Sequence, residues 1–224
     1  MASNEDHLVG SLSYRIPENS GASYVQNKTQ SSFFAQGGDQ YNPSTGARVL
    51  RFSLASDGYM DLSSLVISMD LTNGASGVAT PLVGGAHSLF SRIRIIVSGA
   101  EVENIEHHAV ASEIFHRLLP AEKKRNTELM GFGTNTIAAG ATKNIIFKPS
   151  VLGLCNQNLW VPGFALGAQG LILELHLSNP EKVFQCGTGQ SVFYSLSNCR
   201  ALPPRLSSDK HIFGAYPLWE SSYI

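Results

Sequence analysis

The sequence predicts an all-β fold, a sandwich or barrel with one short helix and long loops. Three observations predict it. Segments of five to ten residues alternate apolar and polar side chains at period 2, as strands with one buried face do. Turn signals such as Asp57-Gly58, Asn73-Gly74 and Ser98-Gly99 separate them. Helical periodicity occurs once, so the βα alternation of a parallel fold is missing.

The elements follow in order. Residues 1–45 are rich in Ser, Asn, Gln and Gly, with Tyr14, Tyr24, Phe33, Phe34 and Tyr41 scattered among them. Such a segment buries too little apolar surface to offset its ordering entropy, and it reads as an N-terminal arm that docks onto something else. Residues 46–203 are the expected folded domain. The first strand, 47–54, opposes Val49 and Arg51 to Leu50 and Phe52. The cleanest, 64–72, sets Leu65, Ile67, Met69 and Leu71 against Val66, Ser68, Asp70 and Thr72. A Gly/Ala-rich loop then leads to residues 88–119, around which the chain is organised. There Ile93, Ile95 and Val97 alternate with Arg92, Arg94 and Ser98, Ser98-Gly99 turns the chain, and 101–105 returns as a second strand. From His107 the period becomes helical. Val110, Ile114 and Leu118 recur at i, i+4, with Ala111 and Phe115 widening a stripe expected to face the core, and Pro120 ends the helix.

The charge run 121–128 reads as a solvated helix end or loop, and 131–142 as a loop. Residues 143–148 form a short strand and 149–170 are irregular. Strand 171–177 points Leu171, Leu173, Leu175 and Leu177 inward, Glu174 and His176 outward. The last strand spans 191–202. Pro203-Pro204 breaks the pattern, leaving 204–224 as an apolar, aromatic linker or docking segment. The total is seven or eight strands, with Ile93, Ile95, Val97, Leu173 and Leu175 expected in the core on facing sheets.

Three patterns carry a resemblance. The first is Leu89-Phe90-Ser91-Arg92-Ile93-Arg94-Ile95-Ile96, then Gly99-Ala100-Glu101-Val102-Glu103-Asn104-Ile105, then Glu113-Ile114-Phe115-His116-Arg117-Leu118-Leu119. Before it stands Tyr41-Asn42-Pro43-Ser44 leading to Arg51-Phe52-Ser53-Leu54-Ala55-Ser56-Asp57-Gly58. After it stands Asn156-Gln157-Asn158-Leu159-Trp160-Val161-Pro162, before Leu171-Ile172-Leu173-Glu174-Leu175. Together they resemble the first jelly roll of double jelly-roll major capsid proteins of Polinton-like viruses and adintoviruses. Periodicity leaves an immunoglobulin-like sandwich and a jelly roll both open; the resemblance selects the eight-stranded jelly roll. It implies a structural protein that self-assembles into an icosahedral shell, without enzymatic activity. It further implies a virion location after synthesis in host cytoplasm or nucleus. The implied partners are copies of itself in a trimeric capsomer and other capsid proteins. In that family a second jelly roll follows the first; here it is expected in a longer protein of which this chain is part, the alternatives being a separate polypeptide or a shell of single jelly rolls.

Composition narrows the alternatives. The chain of 224 residues is 43% hydrophobic and only 15% charged, with net charge −1. Its one dense basic cluster, Lys123-Lys124-Arg125, reads as a solvated turn, so direct sequence-specific nucleic-acid binding is not expected. Cys155, Cys186 and Cys199 are odd in number and widely spaced, as reduced thiols are. The start, Met-Ala-Ser-Asn-Glu-Asp-His, is not a signal peptide, and no apolar run has the length of about 20 residues that spans a bilayer.

No catalytic, cofactor or metal residue is predicted. Glu113 and His116 match Glu-x-x-His, but the second copy that a di-metal site needs is missing. His107 and His108 are adjacent and point apart on a helix. Glu174 and His176 are two ligands at most, on a face read as solvent or interface. His87-Ser88 has no evident orienting carboxylate, and neither a Gly-x-Ser-x-Gly elbow nor a phosphate loop occurs. The candidate inter-subunit contacts are Phe33, Phe34, Trp160, Pro162 and Trp219, aromatics and a proline of irregular segments. The alternative function is a lectin-like carbohydrate-binding jelly roll that uses Asn156-Gln157-Asn158-Leu159-Trp160.

Overall fold

Period-2 alternation becomes two antiparallel sheets that pack their apolar faces together. The computed structural model describes residues 25–44, 46–82, 85–131, 136–157, 160–166, 170–185, 187 and 191–208. The chain runs through β1 (Val25–Gln30), β2 (Phe33–Phe34), β3 (Gln40–Tyr41), β4 (Val49–Leu54), β5 (Tyr59–Asp61), β6 (Val66–Asn73) and β7 (Thr80–Pro81) to a 3-10 turn (Ala86–Leu89). Next come β8 (Phe90–Val97), β9 (Ala100–Ile105), α1 (His108–Leu118), α2 (Ala121–Met130), β10 (Thr142–Phe147), α3 (Gly153–Asn156) and β11 (Trp160–Pro162). A second 3-10 turn (Gly163–Leu166), β12 (Leu171–Leu177), α4 (Pro180–Val183), β13 (Phe184–Gln185), β14 (Tyr194–Leu202) and β15 (Pro204–Ser208) follow.

One main sheet has the order β4-β12-β8-β9, the other β10-β6-β14-β2, with β3 also on β14. The chain changes sheet at almost every step: β4, then β6, then β8 and β9, then β10, β12 and β14. Among the described residues of the main sheets only β8 and β9 pair as a hairpin; the other pairings of these strands join distant segments. Antiparallel strands that alternate between two packed sheets in this way form a jelly-roll sandwich. The Phe90 ring of β8 meets the Phe147 ring of β10 at 4.8 Å, so the sheets touch through their side chains. A third sheet, β1-β15-β5-β11, and the β13-β7 pair complete the fold.

The alternation holds residue by residue. Leu50, Phe52 and Leu54 of β4, Ile67, Met69 and Leu71 of β6, and Leu171, Leu173, Leu175 and Leu177 of β12 are all buried. Ile93 and Ile95 are buried, and Val97 is partly so. These residues share a sheet rather than facing across the sandwich: Ile95 pairs with Leu173, and Leu173 with Phe52. Antiparallel partners in register project to one face, so the three make one row across it. Ser98 and Gly99 turn the hairpin with φ of 50° and 84°, the doubly positive geometry of the turn that matches strand twist.

Several expectations are corrected. Helix α1 turns its apolar stripe outward: Val110, Ile114, Phe115 and Leu118 are 61%, 55%, 59% and 76% exposed, while His108 and Ser112 are buried. Glu174, expected on a solvent or interface face, is 3% exposed. The charge run 121–128 lies within helix α2, where the Lys124 N–H donates to the Pro120 carbonyl at 3.0 Å. The irregular stretch 149–170 holds α3 and β11. The strand count is fifteen among the described residues, because strands of two or three residues are too short to show a period.

Four strands lie outside residues 46–203: β1, β2 and β3 precede them and β15 follows. β1 and β15 pair with each other, while β2 and β3 pair with β14. Pro204 opens β15, the strand position where a missing N–H costs least. Residues 1–24 and 209–224, and with them most of the expected arm and docking segment, lie outside the described residues.

Candidate assembly surfaces

The outer face of the β4-β12-β8-β9 sheet carries a charged ladder. Register aligns Arg51, Glu174 and Arg94 on three neighbouring strands. The Arg51 Nε donates to Glu174 Oε1 at 2.8 Å, and the Arg94 Nε to Oε2 at 2.9 Å. Each guanidinium adds an Nη contact to the same oxygen. Arg94 Nη1 then reaches Glu101 Oε2 on β9 at 3.1 Å. Burial works against the Glu174 charge, but the hydrogen bonds from Arg94 and Arg51 outweigh it and hold the carboxyl below its ordinary range. The two arginines cover the glutamate, which is why an outward-pointing residue is buried.

Helix α1 lies against the 3-10 turn and β8 by its polar side. The Phe90 carbonyl can only accept, so His108 Nδ1 donates to it at 3.3 Å, and Nε2 of the neutral ring accepts the Ser112 hydroxyl at 2.9 Å. Burial pushes His108 down to about 4, which keeps it neutral near pH 7. His87 Nε2 lies 3.0 Å from Glu113 Oε2, and the Arg117 Nε donates to Glu113 Oε1 at 2.7 Å. Burial also lowers His87, outweighing the attraction of Glu113. Glu113 is thus the carboxylate beside His87 that the sequence did not reveal. Ser88 takes no part: its hydroxyl donates to the Gly85 carbonyl at 3.0 Å.

The proposed contact residues fall on edge strands of two sheets. Phe33 and Phe34 form β2, at one end of the β10-β6-β14-β2 sheet, where the Arg200 guanidinium sits 5.2 Å from the Phe34 ring centroid. Trp160 and Pro162 form β11, at the end of the third sheet, paired with Asp61 and Tyr59. Trp219 lies outside the described residues, as do Asn158 and Leu159 of the glycan-site stretch.

No family model and no curated protein matches this sequence. Solved structures do. Over 84% of this chain and 44% of the other, it is similar to VP54 of PBCV-1, fitted into a reconstruction of the virophage Sputnik, with TM-score 0.55 and 14% identity. The Faustovirus major capsid protein matches over 85% of this chain and 56% of its own, with TM-score 0.52 and 10% identity. The structure of the Sputnik virophage matches over 94% and 52%, with TM-score 0.50 and 12% identity. The fold is one that viral capsid proteins use. At these identities the likeness is one of fold, and the chain spans about half the length of the structures it matches.

Within that fold, sequence reasoning missed the α1 surface and the cluster beneath it. A signal was present: opposite the stripe, the helix carries His108, Ser112 and His116 instead of the Lys and Glu usual on a solvated face. No group of three or more His, Cys, Asp or Glu that could hold a metal occurs among the described residues. No described helix is long and apolar enough to cross a membrane.

Proposed function

We propose that this chain is a jelly-roll building block of a viral capsid shell. The carrying observation is the jelly-roll likeness over most of the chain to proteins of viral capsids, including one described as a major capsid protein. The work is mechanical: a rigid sandwich presents edges, loops and one apolar helix face to its neighbours, and many modest interfaces sum to a shell. In this reading the protein resides in the virion, after synthesis in host cytoplasm or nucleus. It associates with copies of itself, in a trimeric capsomer, and with other capsid proteins. It has no catalytic role and reads no nucleic-acid sequence. Residues 41–177 resemble the first jelly roll of the Polinton-like and adintovirus type, and Phe33, Phe34, Trp160, Pro162 and Trp219 are its proposed inter-subunit contacts.

Electron microscopy of the purified full chain, alone and co-expressed with neighbouring viral genes, tests the proposal. Discrete oligomers or shells are the expected result. A strictly monomeric product at high concentration that binds a defined oligosaccharide on a glycan array would overturn it in favour of the lectin-like reading.

A further inference from the structure

Three of the seven histidines, His87, His108 and His116, meet beneath one helix. We propose that α1 is an acid-released element: protonation of His87 and His108 frees the helix, with its outward apolar face, from the 3-10 turn and β8, while both main sheets stay folded. The proposal does not depend on the capsid reading.

The attachment is polar. Val110, Ile114 and Leu118 face outward, so little apolar burial holds the helix down. What holds it is His108 between Phe90 and Ser112, with its ring edge-on to Phe147 at 5.6 Å, and His87 against Glu113. Gly85 lets His87 fold back over the turn, since a Cβ there would stand 2.1 Å from the ring.

Burial disfavours a second proton on either ring; nearby charge adds to that at His108, whereas at His87 Glu113 opposes it without overcoming burial. His108 opens α1, where the helix dipole opposes a cation. The ionisable group acting on it is His87, another base. The His116 ring lies 5.6 Å from His87. Lys148, which follows β10, lines a cleft with both histidines, and Lys182 of α4 lines a second with His107, Glu113 and Arg117. Against these cations stand Glu113, already shared with Arg117, and Glu106, 4.0 Å from Arg92. A proton therefore binds more readily once the helix has moved and water reaches the rings. Burial holds both imidazoles below their ordinary values in the closed state, which gives the coupling its sign: opening takes up protons, so acid favours it.

Amide hydrogen exchange of the full chain, corrected for intrinsic rates, tests this. With His108 held at about 4 when closed and returning to about 6.5 when open, the opening constant of α1 should rise roughly twentyfold between about pH 7 and about pH 5, while β12 stays protected. In a His87→Gln, His108→Gln double variant that dependence should flatten, whereas His176→Gln should leave it unchanged. An α1 opening constant that is the same at both pH values would overturn the proposal, as would loss of α1 and β12 protection together in acid, or an undiminished pH dependence in the double variant. If that variant does not fold, NMR titration of the wild-type imidazoles decides: His87 and His108 titrating at their ordinary values refutes the device, and values below it support it.

Discussion

Glu174 shows what one residue's environment can hide. By alternation it points outward, and it does; yet Arg51 and Arg94 fold over it and remove it from water. Alternation gives a direction, whereas burial depends on which neighbours the register supplies, and these come from strands 123 and 80 positions away. Replacing Glu174 by Ala leaves two guanidinium groups facing each other. The cost should be about 1–3 kcal/mol in urea unfolding, less than for a fully enclosed pair because both arginines partly reach solvent. The pH dependence follows from the lowered carboxyl. The unfolded chain binds this proton first, so the stabilisation is present above the ordinary glutamate value and disappears as pH falls through the native one. The variant and the wild type should converge in acid; a difference that stays constant with pH would assign the residue a packing role alone. Ile95, by contrast, was legible: it is buried in a row with Leu173 and Phe52, and Ile95→Ala should cost about 2–5 kcal/mol through lost contacts and a cavity.

At the scale of elements, α1 separates periodicity from orientation. A stripe at i, i+4 reports that a helix has two faces, and the apolar one is usually inward. Here the inward face is the one whose His108 and Ser112 find fixed partners in Phe90 and each other. Nothing local in the sequence announces that, because His87 and Glu113 stand 26 positions apart and meet only after the helix crosses the turn. The consequence is measurable. Ile114→Ser and Leu118→Ser should change unfolding free energy by no more than about 0.5 kcal/mol, as surface substitutions do. A loss of 2 kcal/mol or more would return the stripe to the core. In sedimentation at high concentration, the same variants should self-associate less than the wild type if the exposed stripe is one of the surfaces the assembly covers.

The whole molecule was legible as a class and less so as a topology. Clean strands such as β6 and β12 declared themselves, and the missing βα alternation spoke against an α/β fold. Which strand neighbours which was not readable from periodicity, since β4 pairs with β12 and β6 with β14 across long insertions; the resemblance chose only the jelly roll over an immunoglobulin-like sandwich. The short strands β2, β3, β5 and β11 were invisible for the physical reason that two or three residues show no period. The largest displacement was at the boundary. Pro203-Pro204 reads as a stop, yet β15 begins at Pro204 and pairs with β1 on one side and β5 on the other. Removing residues 204–224 should therefore do more than trim an end. It leaves β1 without the strand that pairs with it, and exposes the β5 edge, with row after row of backbone donors and acceptors unpaired. Neither main sheet loses a strand, so the shortened chain should keep its β circular dichroism and a cooperative transition, at a thermal midpoint several degrees lower, roughly 4–8 °C for each kcal/mol at the small end of domain sizes and less for a chain this long. Exchange protection should fall at Thr29 and Tyr59, in the third sheet, and remain at Ile95 and Leu173. An unchanged midpoint and unchanged protection at Thr29 would show that β15 adds nothing to the fold and that the domain does end at the prolines.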